Sequence, residues 1–121
     1  KGKLTGNAIR VPTPNVSLAV LVLNLRKSID KDNLNIFLKT SAFESKYREI
    51  IGYTNSHEAV STDFYSSPFA TIIDSQATIA EGKQITLYCW YDNEFGYSKQ
   101  VLNLTKKISS IELTRFPLPI E

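Results

Sequence analysis

Ala70-Thr71-Ile72-Ile73-Asp74-Ser75-Gln76-Ala77-Thr78-Ile79-Ala80 and Gln84-Ile85-Thr86-Leu87-Tyr88-Cys89-Trp90-Tyr91 flank the short link Glu81-Gly82-Lys83. Two β-rich runs joined by a short glycine-containing loop predict antiparallel neighbours. In the second run Ile85, Leu87, Cys89 and Tyr91 share one face, and Thr86, Tyr88 and Trp90 share the other. Bulky residues on both faces predict a strand covered on both sides, with one face suited to a subunit or domain interface.

Downstream, the alternation stops at Asp92-Asn93 and helical spacing takes over. Tyr97, Val101, Leu104 and Ile108 recur three and four residues apart, which predicts a helix from about Glu94 to Ser109. Glu94 in its first turn and Lys106 and Lys107 in its last match the helix dipole. A strand that ends in an Asp/Asn cap and turns straight into a helix holds a side chain beside unpaired N–H groups. Asn93 is therefore a candidate ligand-binding residue, although chemistry alone reads it as a cap. Cys89 lies mid-strand and reads as core, because a nucleophilic thiolate needs an electropositive, accessible setting.

Upstream, Val60-Ser61-Thr62-Asp63-Phe64 reads as a short strand ended by Ser66-Ser67-Pro68. Asp63 is a carboxylate without a partner, which is no catalytic pair. Ile50, Ile51 and Tyr53 form another short strand around Gly52. His57 falls in the loop-like Thr54-Asn55-Ser56-His57-Glu58, with no second His or Cys at ligand spacing. Residues 31–42 carry Leu34, Phe37 and Leu38 at helical spacing, with Ser28 or Asp30 as cap. Val16 to Leu25 is apolar on both alternating faces and reads as a central strand covered on both sides. At the start, Gly2 and Gly6 loosen the chain while Pro12 and Pro14 hold it extended, so Arg10 sits on a stiffened backbone. Its planar fork suits phosphate or carboxylate, although a lone Arg is more often solvated surface. The order of elements predicts an α+β domain, a mixed or antiparallel sheet with helices on one face.

Composition bounds the function. The 121 residues suit one domain with a real core, and 42% hydrophobic and 21% charged residues are ordinary for a globular chain. A net charge of +2 with scattered basic residues gives no footprint for nucleic acid. One Cys and one His exclude a disulfide framework and a zinc cage built from this chain alone. The longest apolar run is far short of the ~20 residues a membrane span needs, and no signal peptide is visible. The absence of Met, including at position 1, suggests a domain cut from something longer, and a processed N-terminus would look the same. No complete catalytic set emerges from the residues themselves.

Two long stretches add a resemblance. Gly2-Lys3-Leu4-Thr5-Gly6-Asn7-Ala8-Ile9-Arg10-Val11-Pro12-Thr13-Pro14-Asn15-Val16-Ser17 resembles a hallmark of phosphorylating glyceraldehyde-3-phosphate dehydrogenases. Trp90-Tyr91-Asp92-Asn93-Glu94-Phe95-Gly96-Tyr97-Ser98 resembles the same family's C-terminal signature, and Gly52-Tyr53-Thr54 and residues 60–64 fall in its order and spacing. The match covers about residues 2 to 109 but corresponds only to the C-terminal portion of a catalytic domain, residues 1–110, followed by an extended tail over 111–121. The resemblance implies that Arg10 binds the substrate phosphate, that Asn93 holds the nicotinamide carboxamide, and that Tyr97 packs near the nicotinamide.

In that family a cysteine nucleophile forms a thiohemiacetal with the aldehyde, a histidine acts as base, hydride passes to NAD or NADP, and phosphate releases the acyl group. Neither catalytic residue falls in this chain, and no Gly-rich nucleotide turn is present, so the N-terminal NAD-binding domain is the missing partner. The expectation is a cytoplasmic oxidoreductase, tetrameric when full length, acting on glyceraldehyde 3-phosphate and inorganic phosphate. The chain alone is expected to be inactive and to hold no cofactor. It departs from common members at residues 72–78, where many read closer to F-D-A-x-A-G-I, and erythrose-4-phosphate dehydrogenase is a close alternative with the same layout. A non-catalytic binding or oligomerisation module is the alternative from another class. The weak similarity of Phe95-Gly96-Tyr97 to an RNA-recognition strand is opposed by the helical periodicity of 94–109.

Overall fold

A computed structural model describes residues 2–110; the expected tail over 111–121 lies outside the described residues. The hairpin is present as β3 (Thr71–Glu81) and β4 (Gln84–Tyr91), closed by Gly82 and Lys83. Gly82 takes the turn at φ +62, a left-handed backbone that glycine enters without a Cβ clash. Around the hairpin stand β1 (Ser17–Asn24), α1 (Lys31–Glu44), β2 (Ile51–Thr54) and α2 (Asn93–Ile108). The sheet order is β1-β4-β3-β2, with β2 parallel to β3 and the other pairs antiparallel. The α+β architecture with a mixed sheet is as the sequence implied.

The alternation in β4 sets the layers. Ile85, Leu87 and Cys89 are buried with Ile73 of β3 and Leu34 of α1, and Leu38, Tyr53 and Ile51 close around them. Asp30 caps α1 by accepting from the Asn33 amide at 2.9 Å, so the side chain of Asp30, not that of Ser28, starts the helix. On the opposite face Val16, Phe64 and Ile72 form a second cluster with Phe69 and Trp90. Phe64 stacks on Trp90 with ring centroids 5.4 Å apart and planes 27° off parallel, a contact worth about 0.5–1.5 kcal/mol beyond its area.

Two sequence readings are corrected. Val60–Phe64 is not a strand: Ser61–Phe64 is a 3-10 turn. The Asp63 carboxylate accepts from the Val60 amide at 2.9 Å, and the Asp63 amide donates back to the Val60 carbonyl at 3.0 Å. That exchange closes a tight turn where alternation alone suggested extension, and it gives Asp63 a structural task. The second correction is β1, which is an edge strand paired only with β4. Its apolar side chains are open: Val20 is 50% exposed and Val22 60%. Both lie on the Trp90 side of the sheet, opposite Tyr88 and Thr86. Apolarity reported a strand meant to be covered; within the described residues the cover is missing.

β3 contains the one register break between the central strands. Asp74 pairs with Tyr88 and Ile79 with Thr86, so five steps along β3 answer two along β4. The extra residues bulge toward α1 and β2. Asn35 and Lys31 donate to the carbonyls of Ser75 and Gln76 at 3.1 and 2.9 Å, and the Ser75 hydroxyl donates to the Thr54 carbonyl at 2.8 Å. This bulge occupies the 72–78 stretch in which the sequence departs from common family members.

Candidate functional site

The site is built where β4 becomes α2. The N-cap of α2 is Asp92, not Asn93: one Asp92 oxygen, Oδ1, accepts from the amides of Glu94 at 3.1 Å and Phe95 at 2.8 Å. Two of the helix's orphan donors are thereby satisfied. The other oxygen, Oδ2, accepts from the Ser66 amide at 2.9 Å and from Asn15 Nδ2 at 3.2 Å. One buried carboxylate, 3% exposed, thus ties the N-terminal arm, the turn that follows the 3-10 segment and the helix start to one point. Those donors, led by the Phe95 amide, hold its pKa below the ordinary aspartate value, against the opposing pull of burial.

The backbone around Asp92 is strained on two sides. Val16 stands at φ 69 and Ser66 at φ 58. For a β-branched valine that region costs on the order of 1–3 kcal/mol. The Val16 amide donates to Asn15 Oδ1 at 2.8 Å, so Asn15 binds its own backbone with one end and Asp92 with the other. Gly96 completes the junction, because a Cβ there would sit 2.7 Å from the Phe69 carbonyl oxygen. A cleft of about 480 Å³ opens beside this junction, lined by Pro14, Asn15, Tyr65, Ser66, Asp92, Glu94, Phe95 and Ser98.

With Asp92 as cap, Asn93 becomes the first helical residue and its carboxamide is released from capping. The side chain is exposed, and Nδ2 donates to the Ser17 hydroxyl at 2.9 Å. The planar amide turns Oδ1 away from that bond, which leaves an acceptor for an incoming donor. Tyr97 stands four residues on, on the same side of α2, and is 73% exposed. Asn93 and Tyr97 therefore form one surface. Arg10 is exposed on the extended arm, and its guanidinium makes no hydrogen bond or ion pair with another described residue. The structure does not bring Arg10 into the Asp92 cluster.

Sequence reading missed Asp92, Asn15, Ser17 and Ser66 as the frame of this site. The signal for Asp92 was present, since Asp92-Asn93 offers two cap-competent residues in a row; the partnership of Ser17 with Asn93 spans 76 positions and leaves no local mark. Cys89 is buried, and burial pushes its thiol pKa up. The neutral thiol is thus favoured, as its place in the core implied. His57 sits in an exposed turn. No described helix is long and apolar enough to cross a membrane.

Comparison with known proteins identifies the family. A family model described as the C-terminal domain of glyceraldehyde 3-phosphate dehydrogenase matches residues 1–93, a match that includes Arg10 and Asn93 and stops short of Tyr97. A glyceraldehyde-3-phosphate dehydrogenase-like protein of Pseudomonas aeruginosa is 48% identical over 117 residues, covering 97% of this chain and 25% of that protein. Glyceraldehyde-3-phosphate dehydrogenase 1 of Drosophila melanogaster is 44% identical over 110 residues, 90% of this chain and 32% of its own length. The Geobacillus stearothermophilus enzyme is 41% identical over 111 residues, again covering 32% of its length. The chain spans about a quarter to a third of the curated relatives it matches. With the α+β sheet, the strand-to-helix junction and these matches agreeing, the chain belongs to the family of glyceraldehyde 3-phosphate dehydrogenase C-terminal domains.

Proposed function

We propose that this chain acts as the C-terminal part of a longer phosphorylating, NAD- or NADP-dependent aldehyde-phosphate dehydrogenase, with glyceraldehyde 3-phosphate as substrate. The observation that carries the reading is the Asn93 carboxamide. It is exposed at the head of α2, with its NH₂ engaged by Ser17 and its oxygen open. An open amide oxygen fits the NH₂ of a nicotinamide carboxamide, and Tyr97, one turn along, supplies an aromatic surface beside it. The bound nicotinamide would supply the hydride acceptor. Arg10, exposed and unengaged among the described residues, meets the substrate phosphate through its planar fork. The nucleophilic cysteine, the base histidine and the dinucleotide-binding domain come from outside this chain. The reading also carries a cytoplasmic location and a tetramer, in which the open apolar side of β1 and β4 is covered by another copy.

The longer polypeptide tests it. Arg10→Ala is expected to raise KM for the aldehyde phosphate by about tenfold or more, since hydrogen bonds to a charged group contribute about 1.5–3 kcal/mol, with KM for NAD nearly unchanged. Unchanged phosphate-substrate kinetics would defeat the role given to Arg10. Steady NAD-dependent oxidation of an aldehyde phosphate by the isolated 121 residues would defeat the claim that the chain is inactive alone.

A further inference from the structure

We propose that Asn15 is a positioning residue: it clamps the arm that carries Arg10 to Asp92, and so sets where the guanidinium stands to meet the substrate phosphate. The proposal rests on the role given to Arg10 above. Both ends of the Asn15 carboxamide have partners that leave its orientation no choice. Oδ1 accepts from the Val16 amide at 2.8 Å, a group that can only donate. Nδ2 donates to Asp92 Oδ2 at 3.2 Å, and an ionised carboxylate can only accept. The depressed pKa of Asp92 keeps it ionised at neutral pH. Turning the amide over would set oxygen against carboxylate and NH₂ against N–H.

The clamp stands where the arm leaves the body. Residues 2–14 are exposed throughout, and among the described residues their one hydrogen bond is internal, from the Thr13 amide to the Val11 carbonyl at 2.9 Å. Asn15 is thus the first residue of the arm bonded to the rest of the molecule. Val16 next to it is buried and turns the chain through the left-handed region at φ 69. The direction of the arm is set at this one bend, which the Asn15 amide braces from both ends. Strain at Val16 gives the bend a reason to open once the brace is lost. Arg10 stands five residues away, and Pro12, Pro14 and the 11–13 turn stiffen the chain between them. Across five residues, up to about 17 Å of chain, a small swing at the bend moves the guanidinium beyond the tolerance of a hydrogen bond. Asp92 also caps α2, so the arm is referenced to the same carboxylate as Asn93.

The test uses Asn15→Ala and Asn15→Asp in the longer polypeptide, each alone and combined with Arg10→Ala. Asn15→Asp keeps the acceptor for the Val16 amide and sets a second carboxylate against Asp92; it replaces Asn15→Ala if that variant does not fold. The substrates are glyceraldehyde 3-phosphate and glyceraldehyde, which offers the same aldehyde without the phosphate. Loss of the clamp is expected to lower the ratio of kcat/KM for the phosphorylated over the unphosphorylated aldehyde about threefold to tenfold, chiefly by raising KM for the former. On the Arg10→Ala background the same substitution is expected to shift that ratio less than about twofold, because it acts through a guanidinium no longer there. An unchanged ratio in the Asn15 variants, whatever happens to the separate rates, makes Asn15 merely structural and overturns the proposal. A full additional loss in the double variant overturns it too. Failure of the underlying reading is separable: Arg10→Ala that leaves the ratio unchanged removes Arg10 from the phosphate site and the proposal with it. A ratio lowered by Arg10→Ala and untouched by the Asn15 variants sinks the proposal alone.

Discussion

Two buried aspartates flank the same strand and do different things. Asp74, 8% exposed, sits on β3 at the bulge, where Oδ1 accepts from the amides of Gln76 and Ala77, each at 3.1 Å, and Oδ2 accepts from Trp90 Nε1 at 3.2 Å. Asp92, 3% exposed, accepts from four donors contributed by the arm, the turn that follows the 3-10 segment and α2. Asp74 braces the bulge of its own strand and pins one indole. Asp92 joins three segments that are otherwise remote in sequence. The lesson is that a buried carboxylate contributes according to how many separate pieces of chain it holds, not only how many bonds it accepts.

That contrast can be broken experimentally, and the largest effect belongs to Asp92. Asp92→Ala removes the cap and leaves donors from all three segments unpaired, so urea unfolding of the chain should show a loss of about 3 kcal/mol. Loss of amide-exchange protection is expected at Ser66, Glu94 and Phe95 together. Protection lost only at the helix start would mean that the carboxylate is an ordinary cap. Asp74→Ala is expected to cost less, about 1–2 kcal/mol, with protection lost at Gln76 and Ala77 while the 92–95 amides hold. A variant whose damage spreads to α2 would erase the distinction.

The smallest effect is on pH dependence. The Asp92 pKa is lowered in the fold, so its stabilisation is fully present above the unfolded value near 3.8 and is lost as pH falls through the folded value. Stability should therefore decline on the acid side with a steeper slope in wild type than in Asp92→Asn, which binds no proton there. Parallel acid limbs for the two proteins would contradict the depressed pKa.

The hairpin was readable because strict alternation over Ile85, Leu87 and Cys89 reports burial on one face directly. The helices were readable, within a residue or two at their ends, from apolar recurrence at three and four, although in α2 the recurring Tyr97, Val101, Leu104 and Ile108 are exposed among the described residues. The place of β1 was not, because central and edge strands differ in what lies beside them, and sequence describes only the strand. Val60–Phe64 misled because five residues are too few to separate extension from a turn closed by an Asp63 side chain. At the site, Arg10 and Asn93 were marked by their own chemistry, while their roles, and Tyr97 altogether, came from the family resemblance; the frame of Asn15, Ser17, Ser66 and Asp92 came from neither, because it consists of contacts between segments 26 to 77 positions apart.

The outer edge of β1 has a practical consequence. Ser17–Asn24 carries no charge and no proline over eight residues. An uncharged, apolar strand edge is a template on which a further strand can be laid, the feature that many β proteins suppress with a lysine or a bulge. Expressed by itself, this chain is thus predisposed to grow by strand addition as its concentration rises. A single lysine at Val22, directed to the open side, would act as a gatekeeper against that growth.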